Sequence, residues 1–365
     1  MRLIAVAFAA QGIVMSMACS PSEHLRAVRE VPLSQYRVTP YVIVGAADGG
    51  YVVAGSEDDD DRPWAARFDS AGKQLWEFLD GPLVRASGDN AFKGAVLLTG
   101  KRTLLCGIKG ARGEDDRAHL VVLDDNGAVS AERDIYPLGD PTRYSVRFDK
   151  CIRWGDGVAV LGFANRRSES HGWLVKLDLT GEVKWEKFIP PSGPRDVLET
   201  ANHELLVLSA DDIDTRDSRL DRLSTDGTVL LTRHIRGDSR FVRPYAGDAV
   251  THITSETGEQ TLFFEVGLQF QDLKPPISLG RSTPNTGYDL ADKSSILFGG
   301  LYNGGSSKAG VIRVFESSAS AELPLESSQV SFWFYDALPM DRPNEFATVR
   351  ETHSGAVLTW IAIER

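Results

Sequence analysis

The densest run of ionisable side chains is Glu57-Asp58-Asp59-Asp60-Asp61, five adjacent carboxylates with enough charge to attract a cation. A calcium loop needs oxygens from alternating positions and a glycine at its sharp turn, whereas contiguous acids diverge from one another. The run therefore reads as a solvated loop. Smaller acidic groups, Glu114-Asp115-Asp116 and Asp211-Asp212-Ile213-Asp214, stand in similar contexts further along the chain. Together Asp58, Asp59, Asp60, Asp61, Asp115, Asp116, Asp211 and Asp212 predict an acidic rim on which a basic partner could dock. Such charge raises association rate more than final affinity.

Nucleophile and metal patterns are sparse. Ser70 and Lys73 have the S-x-x-K spacing, but they fall on a predicted hairpin turn rather than at the start of a helix. The seven histidines form no HExxH pair and no repeated spacing to a carboxylate cluster. No G-x-S-x-G, phosphate-binding loop or dinucleotide fingerprint occurs. No catalytic, cofactor-binding or metal-binding residue is predicted, and no cofactor is expected. Of three cysteines, Cys106 and Cys151 lie in the body of the chain, in segments predicted as inner strands of neighbouring repeats. They could pair as a disulfide or pack as two small buried hydrophobes. Without histidines at ligand spacing they do not make a zinc site.

The third cysteine has a different context. Arg2, the apolar run from Leu3 to Val14, and Ser16-Met17-Ala18-Cys19 make a leader too short for a spanning helix. It resembles a bacterial lipobox, in which cleavage leaves Cys19 as the new N-terminus, carrying palmitate-type lipid chains. Ser16 departs from the Leu or Val usual there, and ordinary cleavage after Ala18 is the alternative. Ser20 rather than aspartate after Cys19 implies, by the same resemblance, a lipid anchor in the outer membrane, facing the periplasm. The expected organisation is a signal peptide over 1–18, a tether over 19–24 and one folded domain over 25–365. The net charge of −11 argues against a broad surface for nucleic acid.

The fold is read from an internal repeat. Asp48-Gly49-Gly50, the apolar Tyr51-Val52-Val53-Ala54-Gly55, the acidic loop, Trp64-Ala65-Ala66-Arg67-Phe68-Asp69, the turn Ser70-Ala71-Gly72 and Lys73-Gln74-Leu75-Trp76 follow in order. Copies recur from Leu104, Asp156 and Glu204, with turn glycines at 72, 127, 181 and 227, spaced 46 to 55 residues apart. Short β-rich runs between Asp, Asn and Gly turns indicate antiparallel hairpins, and a period of this length indicates a propeller. Weaker copies begin at Thr261, Ser295 and Phe346. The fold class is therefore all-β, a single β-propeller of about seven four-stranded blades, with six or eight as alternatives. The last copy runs out at Arg365 after three strands, so a strand within Leu25 to Tyr36 is expected to close the ring. Phe332-Trp333-Phe334-Tyr335 is expected to be an inner strand of the last blade, part buried and part lining the axis.

The stretches Phe68-Asp69-Ser70-Ala71-Gly72-Lys73-Gln74-Leu75-Trp76 and Leu177-Asp178-Leu179-Thr180-Gly181-Glu182-Val183-Lys184-Trp185 resemble the blade motif of quinoprotein-like, PQQ-like-repeat propellers. That resemblance implies a docking role between blades for Trp76 and Trp185. The superfamily holds quinone-dependent dehydrogenases and an assembly scaffold lipoprotein, so it specifies architecture and not activity. The function expected is a membrane-tethered binding or scaffold module of the cell envelope, using rim or channel mouth for a protein or polymer partner. The alternatives are a propeller enzyme, quinoprotein-like or otherwise, and an immunity lipoprotein against a secreted toxin.

Overall fold

The computed structural model describes residues 23–364 except 82–89, 111–114, 141–143, 167–168, 190–192, 211–216, 246–249, 258–259, 268, 280–281, 291–293, 304–305, 316–319, 327–330 and 353–354. The leader with Cys19, and Asp211 and Asp212, lie outside the described residues. What is described is all-β: twenty-eight strands and two short 3-10 turns, with no α-helix.

The strands form six hydrogen-bonded sheets, which corrects the expectation of about seven separate blades. Sheets 1 to 5 are four-stranded antiparallel meanders over 38–79, 91–135, 145–189, 194–235 and 238–278. Sheet 6 has eight strands. Its first half spans 282–326, and its second combines three strands over 331–364 with the N-terminal strand His24–Pro32. The physical reason for the merger lies in that N-terminal strand. It pairs antiparallel with Gly355–Glu364 along nearly its whole length. It also touches the first half in parallel through Leu25↔Leu325 and Arg26↔Glu326. The expected closing strand thus fuses the two sets it joins. Two buried arginines fasten it, Arg350 to Glu30 and Arg313 to Glu23.

Neighbouring sets cover both faces of second and third strands such as Tyr51–Glu57, Arg62–Phe68, Thr103–Lys109 and Arg117–Leu123, whereas fourth strands such as Gln74–Leu79 and Val129–Ile135 stay partly exposed. Hydrophobic clusters fill the seams between sheets 1 and 2, 2 and 3, 3 and 4, 4 and 5, and 5 and 6. A further cluster lies between the halves of sheet 6, and another joins sheet 6 back to sheet 1. The core is therefore a ring of seams around an axis.

The tryptophans dock as the resemblance implied. A methyl group on Gly127 would lie 2.8 Å from Trp76, on Gly227 2.8 Å from Trp185, and on Gly72 2.6 Å from Trp360. Each of these turn glycines has φ near +80°, so both backbone conformation and ring contact exclude a side chain. The turn holding each is closed by a side chain: Asp69 Oδ1 accepts from the Lys73 amide, Asp124 Oδ1 from the amides of Asn126 and Ala128, and Ser224 Oγ from the Thr228 amide.

One copy differs from its sequence reading. Thr261-Leu262-Phe263 is the third strand of sheet 5, not its second. The second strand is Val250–Thr257, whose threonine, serine and histidine content conceals its period. The Lys274-Pro275-Pro276 break precedes a final strand of only two residues, Ile277–Ser278, as expected of proline at a sheet edge.

Candidate functional site

The first strand of every set faces the axis: Val38–Gly45, Ala91–Leu97, Ser145–Trp154, Pro194–Glu199, Asp238–Tyr245, Ser282–Asp289 and Ser331–Pro339. Each carries a register shift at which one residue has no partner on the second strand. The shifts fall at Pro40/Val42, Phe92/Gly94, Phe148/Lys150, Pro194/Asp196, Val242/Pro244, Pro284/Thr286 and Phe334/Asp336. The unpaired residues at these shifts are Tyr41, Lys93, Asp149, Arg195, Arg243, Asn285 and Tyr335, and Ser331–Pro339 carries a second shift between Ser331 and Trp333. A bulge re-aims its residue out of the seam, and Tyr41, Lys93, Asp149, Asn285 and Tyr335 all line one axial cavity of about 530 Å³.

Glycine on the second strand makes room for these bulges. A methyl group at Gly55 would lie 2.0 Å from the Thr39 carbonyl oxygen, at Gly107 1.9 Å from that of Ala91, and at Gly162 1.9 Å from that of Arg147. Gly55, Gly107 and Gly162 pair with Pro40, Phe92 and Phe148, the residues just before each bulge. The bulged backbone therefore occupies the space of a missing Cβ.

The channel wall is polar and charged. Lys93 Nζ sits 3.3 Å above the Tyr41 ring, which meets Tyr335 edge-on with centroids 6.1 Å apart. Tyr335 donates to Glu351 at 2.9 Å, and burial together with that carboxylate pushes its phenol well above the ordinary range. Lys150 pairs with Asp196, and Arg195 with Asp238 at 3.2 Å. Asn285 accepts from Arg240 at 2.8 Å and donates to the Phe334 carbonyl at 2.7 Å. Asp149 is the least compensated group: burial pushes its carboxyl up, against the opposing charges of Arg147 and Lys93. Its Oδ1 lies 3.3 Å from Arg147, while Oδ2 has no partner among the described residues. Such a wall can hold a polar ligand by ion pairs and aromatic contact, and Asp149 could carry a proton.

The sequence-predicted residues fall elsewhere. Asp58 to Asp61 form the hairpin between the second and third strands of sheet 1, and Asp115 and Asp116 belong to the equivalent connection of sheet 2. Val38 pairs with Glu57, so this hairpin stands at the same end of the disc as the Tyr41 bulge. The loop is partly neutralised. Buried Glu57 accepts from the amides of Asp59 and Asp60, Arg62 lies 3.4 Å from Glu57 and 3.7 Å from Asp60, and Arg37 is 3.5 Å from Asp58. Burial pushes Asp58 up, and it lines a second cavity of about 780 Å³ with Glu30, Tyr36, Arg37 and Glu351. Phe334 is fully buried while Tyr335 reaches the channel, the division expected of that strand. Cys106 lies on a second strand, not the inner strand expected, whereas Cys151 is on an inner one; both are free thiols.

One polar cluster had no sequence signal. His119, 1% exposed, is held between Asp80 at 2.8 Å and Asp134 at 2.7 Å, with Lys109 3.0 Å from both Asp80 and Glu132. Asp80, His119 and Glu132 could group around a metal, but the Lys109 ammonium already supplies the cation. The repeat explains the cluster. Trp64 donates to Glu77 thirteen residues on at 2.7 Å, and Trp173 to Glu186 at the same separation at 2.8 Å. His119 and Glu132 occupy those two positions in sheet 2. His119 is thus a donor standing where tryptophan stands elsewhere, with Asp80 of sheet 1 added across the seam.

No family model matches the chain, and no curated protein sequence matches it. Solved structures do. A streptogramin B lyase structure superposes with TM-score 0.60 at 11% identity, covering 94% of this chain and 98% of that one. The Dos1 propeller superposes with TM-score 0.56 at 9% identity, covering 92% and 94%. At such identities the likeness establishes the fold alone: this chain is a β-propeller.

The channel does not fit a metal-bound quinone. Asp196 is engaged by Lys150, Glu199 by His203 and the Gly155 amide, and Asp336 by the Ile43 and Ala337 amides. Among the described residues Asp149 is then the one channel carboxylate with a buried, unpartnered oxygen, and a single carboxylate is not a convergent set to hold the metal.

Proposed function

We propose that the protein is a membrane-tethered binding module of the cell envelope whose channel mouth receives a polar segment of a protein or envelope-polymer partner. The observation that carries this reading is the bulge that recurs on every inner strand, with five of the bulged residues lining one cavity. Repeating the same irregularity around the axis places tyrosines, a lysine, an acid and an amide in a rigid ring, and rigid presentation lowers the ordering cost of binding. The acidic hairpin at the same end, with Asp58, Asp59, Asp60 and Asp61, would steer a basic partner toward it. Asp115 and Asp116 would extend that field, while Asp211 and Asp212 lie outside the described residues. The leader ending at Cys19 supports the tether and an outer-membrane location.

A photo-crosslinking residue in place of Tyr41 should capture a partner in intact cells, whereas one at Val183, 42% exposed on an outer strand, should not. Equal capture from both positions would remove the channel from the account. Cys19→Ser should release the protein from membranes, and an unprocessed variant still sedimenting with them would refute the anchor. The rival reading, an enzyme using the same channel, is favoured by Asp149, whose raised proton affinity and buried, unpartnered Oδ2 suit acid–base chemistry.

A further inference from the structure

We propose that Cys106 and Cys151 are an oxidation site, forming a disulfide that pins sheet 2 to sheet 3 beside the channel. Cys106 is on Thr103–Lys109 and Cys151 on Ser145–Trp154, strands of neighbouring sheets whose side chains share one seam cluster. They are 0% and 4% exposed. Their sulfurs converge on one point. A methyl group on Gly94 would lie 2.7 Å from Cys106 Sγ and 2.9 Å from Cys151 Sγ. Gly94 pairs with Cys106 directly after the Lys93 bulge, so the glycine vacates the space where the two sulfurs meet. Burial together with the neighbouring Cys151 pushes the Cys106 thiol up. Gly94 and Cys151 also line the axial cavity, the side from which the proposed oxidant would approach.

Glutathione disulfide is a sufficient oxidant. The Cys151 thiolate attacks one of its sulfurs, forming a mixed disulfide and expelling one glutathione thiolate. The Cys106 thiolate then attacks the Cys151 sulfur and expels the second glutathione. Two protein thiols are oxidised and one glutathione disulfide is reduced, with the two thiol protons passing to solvent or to the departing thiolates. Because thiolate is the attacking form and Cys106 resists ionisation, the rate should rise with pH.

The test uses the full chain, reduced, freed of reductant, incubated with glutathione disulfide at mildly alkaline pH, then denatured, alkylated and peptide-mapped. A peptide linked through Cys106 and Cys151 is the expected product, accompanied by a higher denaturant midpoint. Cys106→Ser should instead accumulate glutathione on Cys151, and Gly94→Ala should slow linkage at least tenfold. Two alkylated thiols, or glutathione persisting on Cys151 in the unsubstituted chain, would overturn the proposal. Linkage in Gly94→Ala as fast as in the unsubstituted chain would overturn the convergence on which it rests.

Discussion

The seams and the channel are built from the same strands yet obey opposite rules. In the seams, successive side chains keep the period of the strand, and Phe148, Trp173 and Val160 interlock with no exposure above 1%. On the channel, the residue that matters is the one out of register, such as Lys93 between Phe92 and Gly94. Regular alternation stabilises the ring, and its interruption, repeated at each inner strand, supplies a polar lining. The two regions should therefore separate under mutation: seam changes cost stability, and channel changes cost binding.

The strongest way to break that separation is to remove the closing strand. Deleting residues 25–36 takes away the pairing with Gly355–Glu364, buried Leu25 and Leu33, and the Glu30 partner of buried Arg350. Melting should lose cooperativity or fall by more than about 10 °C. Unchanged melting by circular dichroism would show that the ring does not depend on closure.

Gly107→Ala lies on the boundary between the two regions, since its methyl would overlap the Ala91 carbonyl oxygen at the Lys93 bulge. It should cost about 1–3 kcal/mol in urea unfolding and weaken partner capture as well. A variant that binds normally would detach the bulge from function.

His119 tests whether a charged seam behaves like an apolar one. Burial opposes its protonation, but the hydrogen bond with Asp134 and the adjacent Asp80 carboxylate win and its proton affinity is raised. A raised folded-state pKa gives stability that is complete below the unfolded value of about 6.5 and is lost as pH rises through the folded value. Asp80 and Asp134 are depressed, with burial opposing and His119 prevailing. Their contribution is therefore present above about pH 3.9 and lost as pH falls through the folded value. Denaturant midpoints across pH 5 to 9 should decline on the alkaline side in the native chain, and that decline should flatten in His119→Gln. An identical profile in the variant would mean that the latch carries no linked proton.

How much of this was legible in the sequence follows from the same contrast. The turn glycines 72, 127, 181 and 227, and tryptophans 76 and 185, repeat with the fold, so the architecture and the closing strand could be read from spacing. The sheet count could not, because two parallel pairs at Leu25 and Arg26 merge the last two sets. A polar second strand, Val250–Thr257, hid the fifth repeat. The channel ring was invisible for a physical reason: Tyr41, Lys93, Asp149 and Asn285 share no residue type, only a bulge, and a bulge interrupts periodicity. Its one trace was the glycine ending Val53-Ala54-Gly55, Leu105-Cys106-Gly107 and Val160-Leu161-Gly162. His119 was hidden too, because its repeat equivalents Trp64 and Trp173 are a different residue type.

The smallest stability effect should come from Lys93→Ala, which loses a contact over Tyr41 worth about 0.5–1 kcal/mol at an accessible site. The most direct test of a channel that binds rather than braces is this variant's affinity for the partner captured from position 41, measured beside its melting temperature. The account predicts at least a tenfold loss of affinity with melting within about 2 °C of the unsubstituted chain. Unchanged affinity would contradict it.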